Sequence, residues 1–277
     1  MPSYERDGIR FVYDDRGNGE GAPILLLHGF TSDRRMWNPV AEALEKRRRV
    51  LVPDLRGHGE SDSPDDIPSY TMEGYAADVA ALLDRAGTET AHIVGSSFGG
   101  MVAMEFAVTW PGRVATAVLS DTSPAPDHPD YDERFRTREA GLARMVDEVA
   151  RFGPLEAGRR AARDVGDDFL VGAIRQRYAR MNGEGIVGAA QARRTRREVT
   201  PLLAGLTMPV LLAMGENDPV HSALAVMARE LPHARRVTFG GTGHGVPAQN
   251  TAAFIEAIEA FYHDVAAGRP AAGEVNL

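Results

Sequence analysis

Ser97 stands in the stretch AHIVGSSFGGMVAMEF at residues 91 to 106, flanked by Gly95 and Gly99 in the pattern GxSxG. The apolar run before it predicts a buried strand, and Met101, Val102, Glu105 and Phe106 recur after it at helical spacing. A serine on such a strand-to-helix corner has its hydroxyl exposed, while the new helix points unpaired N–H groups and its positive end at whatever binds there. That arrangement suits nucleophilic attack with an anion developing beside the nucleophile. A serine hydroxyl attacks poorly unaided, so the chain must also supply a base within hydrogen-bond reach and an acid to orient that base.

Parallel sheets bind ligands at the carboxyl ends of their strands, which selects residues just after an apolar run. His244 follows VTFGGTG, in a glycine-rich loop able to aim an imidazole back over the sheet, and is the expected general base. Asp218 follows VLLAMGEN and precedes Pro219, where a carboxylate can accept the second imidazole N–H. Asp121, after VATAVLS, is the alternative acid from another strand end. His28-Gly29-Phe30 ends the first long apolar strand, and Gly29 permits the close approach that would aim the Phe30 N–H at the serine. The Phe98 N–H, next after the nucleophile, is the second expected donor of an oxyanion hole. His28 and His58 read as structural, His92 as a satisfied histidine in an apolar strand, and His128, His221, His233 and His263 as loop or surface residues. With no HExxH, no ligand-spaced cluster and no GxGxxG after a strand, neither a metal nor another cofactor is expected.

The elements that must carry these residues alternate. Strands are predicted over SYER and IRFVYD, joined by Asp7-Gly8, then over Ile24 to Leu27, Val50 to Leu55, Ala91 to Val94, Val114 to Leu119, Val210 to Met214, and RRVTFGG. Between them lie a helix capped by Asn38 with Pro39 at its first position, a helix over 71 to 86, the helix after Ser97, one over Ala223 to Leu231, and a last helix from Asn250 to about Val265. Continuous apolar strands alternating with helices imply a mostly parallel sheet covered on both faces. Residues 124 to 200 break the rhythm with helical stripes only, Leu142/Met145/Val146/Val149 and Leu170/Ile174/Tyr178/Met181, and read as a helical insertion. RRTRR at 193 to 197 reads as a solvated helix face, and the tail AAGRPAAGEVNL as frayed.

The composition narrows the class further. A chain of 277 residues that is 43% hydrophobic and 25% charged suits one large domain carrying an insertion. The absence of cysteine excludes disulfides and a thiolate nucleophile, and the polar start MPSYERDGIR offers no secretory h-region, so a cytoplasmic location is expected. No apolar run is long enough for a membrane span, and a formal charge of -8 argues against non-specific nucleic-acid binding. Homo-oligomerisation is left open.

The ordered set HGF, PDLRGHGESD, GSSFGG, GENDP and GHG resembles the α/β-hydrolase superfamily over residues 3 to 266 apart from the insertion. The resemblance implies an α/β core of 1–123 and 201–277 built on a mostly parallel eight-stranded sheet, with Ser97 as nucleophile, Asp218 as acid and His244 as base. It also implies that 124–200 form a helical cap over the site. Serine at the elbow separates the chain from branches that carry aspartate there, such as haloalkane dehalogenases and epoxide hydrolases, and points to acyl chemistry. Phe98 stands where the commonest serine branch has Met, and Ser96 where carbon-carbon bond hydrolases tend to have Asn. The expectation is therefore a serine hydrolase of carboxylic esters or lactones. The alternatives are a carbon-carbon bond hydrolase of vinylogous diketones, a cofactor-free perhydrolase or acyltransferase, and a non-catalytic ligand receptor. Trp37, Phe152, Tyr178, Met181 and Val246, with Phe169 and Phe30, are the candidate lining of a pocket for a small to medium apolar substrate.

Overall fold

The computed structural model describes residues 2–277. The apolar runs form one sheet of nine strands, β1 (Ser3–Arg6), β2 (Ile9–Arg16), β3 (Ile24–Leu27), β4 (Val50–Pro53), β5 (Ala91–Ser96), β6 (Val114–Ser120), β7 (Val210–Gly215), β8 (Arg235–Phe239) and β9 (Gly273–Asn276). The helices are α1 (Asn38–Leu44), α2 (Met72–Arg85), α3 (Phe98–Thr109), α4 (Glu133–Phe152), α5 (Pro154–Ala161), α6 (Asp168–Ala179), α7 (Gly183–Thr195), α8 (Ser222–Glu230), α9 (Val246–Gln249) and α10 (Thr251–Ala266). Across the sheet the order is β1-β2-β4-β3-β5-β6-β7-β8-β9. β1 and β2 run antiparallel to their neighbours, and every pairing from β4 to β9 is parallel.

Because side chains alternate along a strand, β3 feeds both faces: Leu25 and Leu27 join the core under α2 and α3, while Ile24 and Leu26 join the core under α1 and α10. This double burial explains why β3, β4 and β7 carry no polar alternation. The order also puts β5 near the centre, so the corner after Ser96 opens between strand ends on both sides.

Two local expectations are corrected. The helix expected to start at Asn38 is preceded by a 3-10 turn, Arg34–Trp37, capped by the Asp33 carboxylate on the Arg35 N–H at 2.9 Å. Asn38 therefore lies inside helical backbone and spends its side chain on Arg16 at 3.1 Å. The tail read as frayed contributes β9, the ninth strand, whose four residues are all exposed. Main-chain bonds hold it, continued by Leu277 N–H to the Thr238 carbonyl at 2.9 Å and Gly240 N–H to the Leu277 carbonyl at 2.7 Å. A strand with no buried face leaves no hydrophobic alternation to read.

Between β6 and β7 the chain leaves the sheet for α4 to α7. Asp132, Asp167 and Asn182 cap α4, α6 and α7 through their side chains, and Gly153 at φ 74° breaks α4 from α5. Among the described residues no helix is long and apolar enough to cross a membrane.

The loop after β4 is held by ions and histidines. Asp54 accepts the N–H groups of Arg34 and Glu60 at 2.7 and 2.8 Å and pairs with the Arg34 guanidinium, while Asp78 takes Arg56 at 3.0 and 2.8 Å. The fully buried His28 accepts the Leu55 N–H at 3.0 Å and bonds the Gly29 carbonyl at 2.9 Å, and His58 packs edge-on against it. Burial lowers His28 to about 4 and His58 to about 3. Below the ordinary value near 6.5 the unfolded chain gains these protons and the folded chain does not, so stability is lost from there down to the folded values. His28 alone should cost about 3 kcal/mol across that window. Denaturant titrations at pH 7 and 4.5 should show His28→Asn starting less stable but losing less between the two; an equal loss would refute the assignment.

Candidate active site

The strand-to-helix corner forces Ser97 to φ 53° and ψ −111°, a backbone conformation that costs a non-glycine residue about 1–3 kcal/mol. Three hydrogen bonds hold it there. The Ser97 N–H donates to the Ser120 carbonyl at 2.7 Å, and the Ser97 carbonyl accepts from Thr122 Oγ1 at 2.8 Å and from the Met101 N–H at 3.1 Å. The flanking glycines are steric requirements: a Cβ at Gly99 would strike the Leu27 carbonyl, and one at Gly95 the backbone of Gly99 itself. Thr31 and Asp121, at φ 63° and 52°, carry the same strain at neighbouring corners.

Ser97, His244 and Asp218 are joined in one chain of hydrogen bonds. Ser97 Oγ lies 3.0 Å from His244 Nε2, and His244 Nδ1 lies 2.9 and 3.0 Å from the two Asp218 oxygens. With Nδ1–H donated to the carboxylate, Nε2 is left as acceptor. His244 sits on the loop between β8 and α9, and Gln249 clamps that loop, donating to the His244 carbonyl at 2.5 Å and accepting the Gly243 N–H at 3.1 Å. Nothing in the sequence pattern singles out Gln249, because its role depends on a one-turn helix folding back. Burial works to raise Asp218, but the bonds from His244 and from the Val220 N–H at 2.8 Å outweigh it and hold the carboxyl below its usual range. Burial lowers His244; its bond to Asp218 opposes this, and Arg138 lowers it further.

Asp121 lies close by. One atom each of Asp121, Asp218 and His244 fall within 4.8 Å of one another, compact enough by distance to hold an ion. One Asp121 oxygen is already engaged: Oδ2 accepts the Val246 N–H at 2.9 Å and the Ser120 hydroxyl at 2.7 Å, and no hydrogen bond joins Asp121 to the imidazole among the described residues. Its other oxygen, buried and without a partner among the described residues, faces the same neighbourhood as Asp218. Burial, then the Asp218 charge, pushes Asp121 well above the usual carboxylate range, which favours its neutral form.

Gly29 packs against Ser97, a Cβ there falling 3.5 Å from the Ser97 Cβ, which brings the Phe30 backbone to the corner. Among the described residues neither the Phe30 nor the Phe98 N–H has a protein acceptor. Above them lies a cavity of about 610 Å³ touching Ser97, His244, Phe30, Met36, Leu142 and Arg138. Larger hollows of about 820 and 890 Å³ lie elsewhere on the surface and contain neither Ser97 nor His244.

The six remaining pocket candidates do not line this cavity. Trp37 is fully buried in the core against Phe254, and Val246 is buried with its N–H on Asp121. Tyr178 and Met181 are buried among the inserted helices, Phe152 lies outside between Arg151 and Arg160, and Phe169 is 83% exposed. The lining is instead rich in arginine: Arg35, Arg138, Arg177 and Arg180. The run RRTRR is a further correction. Arg193 is buried over the Phe30 ring and paired with Glu139, and Arg196 is buried on the Ala125 carbonyl and Ser123. Arg197 pairs with the buried Glu105. The end of α7 descends into carbonyls and carboxylates that local charge patterning does not reveal.

A family model described as the alpha/beta hydrolase fold matches residues 22–251. A non-heme chloroperoxidase of Streptomyces lividans is 32% identical over 262 residues, covering 87% of this chain and 91% of that protein. A Bacillus subtilis relative is 34% identical over 118 residues, which is 43% of each protein. The solved structure of a thermophilic esterase from Thermogutta terrifontis superposes with a TM-score of 0.78 at 31% identity, over 95% of this chain and 97% of that one.

Proposed function

The chain belongs to the alpha/beta hydrolase family, and on that premise we propose that it is a serine hydrolase opening a carboxylic ester or lactone through an acyl-enzyme. The observation that carries the reading is the Ser97–His244–Asp218 chain, with steps of 3.0 and 2.9 Å, at the floor of a cavity beside two unpaired N–H groups. Ser97 Oγ attacks the carbonyl carbon while Nε2 takes its proton, and Asp218 stabilises the imidazolium. The carbonyl oxygen becomes an oxyanion facing the Phe30 and Phe98 N–H groups. Collapse breaks the bond to the alcohol oxygen, which leaves with the proton from Nε2. Water then attacks the acyl-enzyme, giving its proton to Nε2; the acid departs and Ser97 regains its hydrogen. In a lactone the leaving alcohol stays tethered to the acid.

A fluorophosphonate should label the protein once, at Ser97 by mass spectrometry, and the labelled protein should no longer turn over a short p-nitrophenyl ester. Labelling elsewhere, or full turnover after labelling, would sink the proposal. Because the working base is neutral His244, kcat/KM should fall with acid. The midpoint should lie below the ordinary histidine value near 6.5, since burial and Arg138 outweigh the Asp218 bond. A pH–rate profile with its acid limb centred above 7 would contradict this.

A further inference from the structure

We propose that the substrate carries a carboxylate close to the bond that is opened, and that Arg138 and Arg177 receive it. The inference rests on the hydrolase reading and names its substrate class. Arg138 reaches from α4 so that Nη2 lies 2.7 Å from His244 Nε2, while Nη1 lies 2.8 Å from Glu139. Nε2 has one lone pair, and the Ser97 hydroxyl claims it from 3.0 Å. Two donors thus compete for the acceptor that the chemistry needs, and one of them is a fixed cation beside the base. A guanidinium gains little there, because a neutral imidazole cannot match its charge.

Among the described residues the Arg177 guanidinium, from α6, bonds only the Thr31 hydroxyl, at 3.0 and 2.7 Å, next to the Phe30 backbone. Among the described residues no carboxylate pairs with Arg177 or Arg180. Of the charged residues lining the cavity, Asp33 is the one acid, and it is 3.5 Å from Arg35. Glu139, which pairs with Arg138 at 2.8 Å, is shared with the buried Arg193. A chain with a formal charge of -8 therefore keeps two arginines without a carboxylate partner, Arg177 and Arg180, in the cavity over Ser97, beside an Arg138 that shares Glu139 with Arg193.

A carboxylate is the group that a guanidinium fork fits, with two parallel charge-assisted bonds. The steps of 2.7 and 3.0 Å from Arg138 to His244 to Ser97 put Arg138 Nη2 less than 6 Å from the hydroxyl, so a carboxylate one hydrogen bond of about 2.8 Å further out lies roughly 8.5 Å or less from it, a spacer of a few bonds. Pairing with the substrate draws Arg138 off Nε2 and leaves the lone pair to Ser97. The charge that identifies the substrate thus also releases the base. Monoesters of short dicarboxylic acids and small lactones bearing a carboxylate meet these conditions.

The test compares each charged ester with its methyl-capped counterpart: methyl hydrogen glutarate against dimethyl glutarate, and acetoxyacetate against methyl acetoxyacetate. The two pairs place the charge on the acyl and on the alcohol side. The wild-type protein should prefer the charged member of one pair by about 100-fold in kcat/KM, the scale of two charge-assisted bonds. Arg138→Leu should erase that preference while raising the rate on the neutral ester, and Arg138→Lys should restore part of it. Glutarate binding to Ser97→Ala protein, read by calorimetry and lost in Arg138→Leu, reports the site without turnover. Equal rates within both pairs, parallel losses in Arg138→Leu, or no glutarate binding would each overturn the inference while leaving the hydrolase reading standing. Failure of Ser97 to take the fluorophosphonate overturns that reading, and is seen separately.

Discussion

Ser97→Ala is expected to lower kcat on a short p-nitrophenyl ester by roughly four to six orders of magnitude, the range for removing the nucleophile from a Ser-His-Asp unit. The loss is large because the remaining parts act through the hydroxyl. With Oγ gone, His244 Nε2, 3.0 Å away, has no proton to take, and the Phe30 and Phe98 N–H groups have no tetrahedral oxyanion to hold. What survives is water attack in a polar cavity. The fold should be indifferent, because Ser97 is pinned by its main chain and by Thr122, and alanine keeps that backbone. Unchanged thermal denaturation alongside the lost turnover separates chemistry from folding. More than about a tenth of wild-type activity in a phosphonate-checked preparation would remove Ser97 from the mechanism.

The second large effect divides two carboxylates that lie side by side. Asp218→Asn should cost about 10⁴-fold in kcat, since an amide facing Nδ1 can turn the imidazole to the tautomer that presents a proton to Ser97 in place of a lone pair. Asp121→Asn should cost less than about tenfold, because Asp121 bonds the Val246 N–H and not the imidazole, its neutral form is favoured by burial and the Asp218 charge, and asparagine keeps both a donor and an acceptor in nearly the same shape. Steady-state kinetics on the two variants decide it. A loss confined to Asp121→Asn would move the acid to the end of β6, and equal large losses would mean that the pair works as one unit.

Much of this site was legible in the chain because parallel strands are buried on both faces. Such strands print as unbroken apolar runs, their ends are visible, and Ser97, Asp218 and His244 each follow one. The order HGF, GSSFGG, GENDP, GHG then carried the fold. Choosing between Asp218 and Asp121 needed space, since both follow a strand and only three-dimensional position separates the one facing Nδ1 from the one facing Val246 N–H. The helices inserted between β6 and β7 were the least legible part. A helical stripe reports that a face is covered without saying by what, so Tyr178 and Met181 looked like pocket residues and are buried among those helices instead. Arg138 and Arg177 carry no sequence signal, since nothing local marks a guanidinium that will meet a histidine 106 positions later. The ninth strand escaped for the opposite reason, having no apolar face at all.

Thr31, Ser97 and Asp121, three strained residues at and behind the Ser97 corner, set a limit on improving this protein. Each holds a backbone shape that glycine would adopt more easily, so selection for heat resistance alone would find relief at these corners. Yet Thr31 seats Arg177, Ser97 is the attacking group of the proposed reaction, and Asp121 anchors the turn at Val246. Robustness gained there would be drawn from the aim of the chemistry, and an engineer seeking a hardier enzyme should begin on the outer faces of α4 to α6.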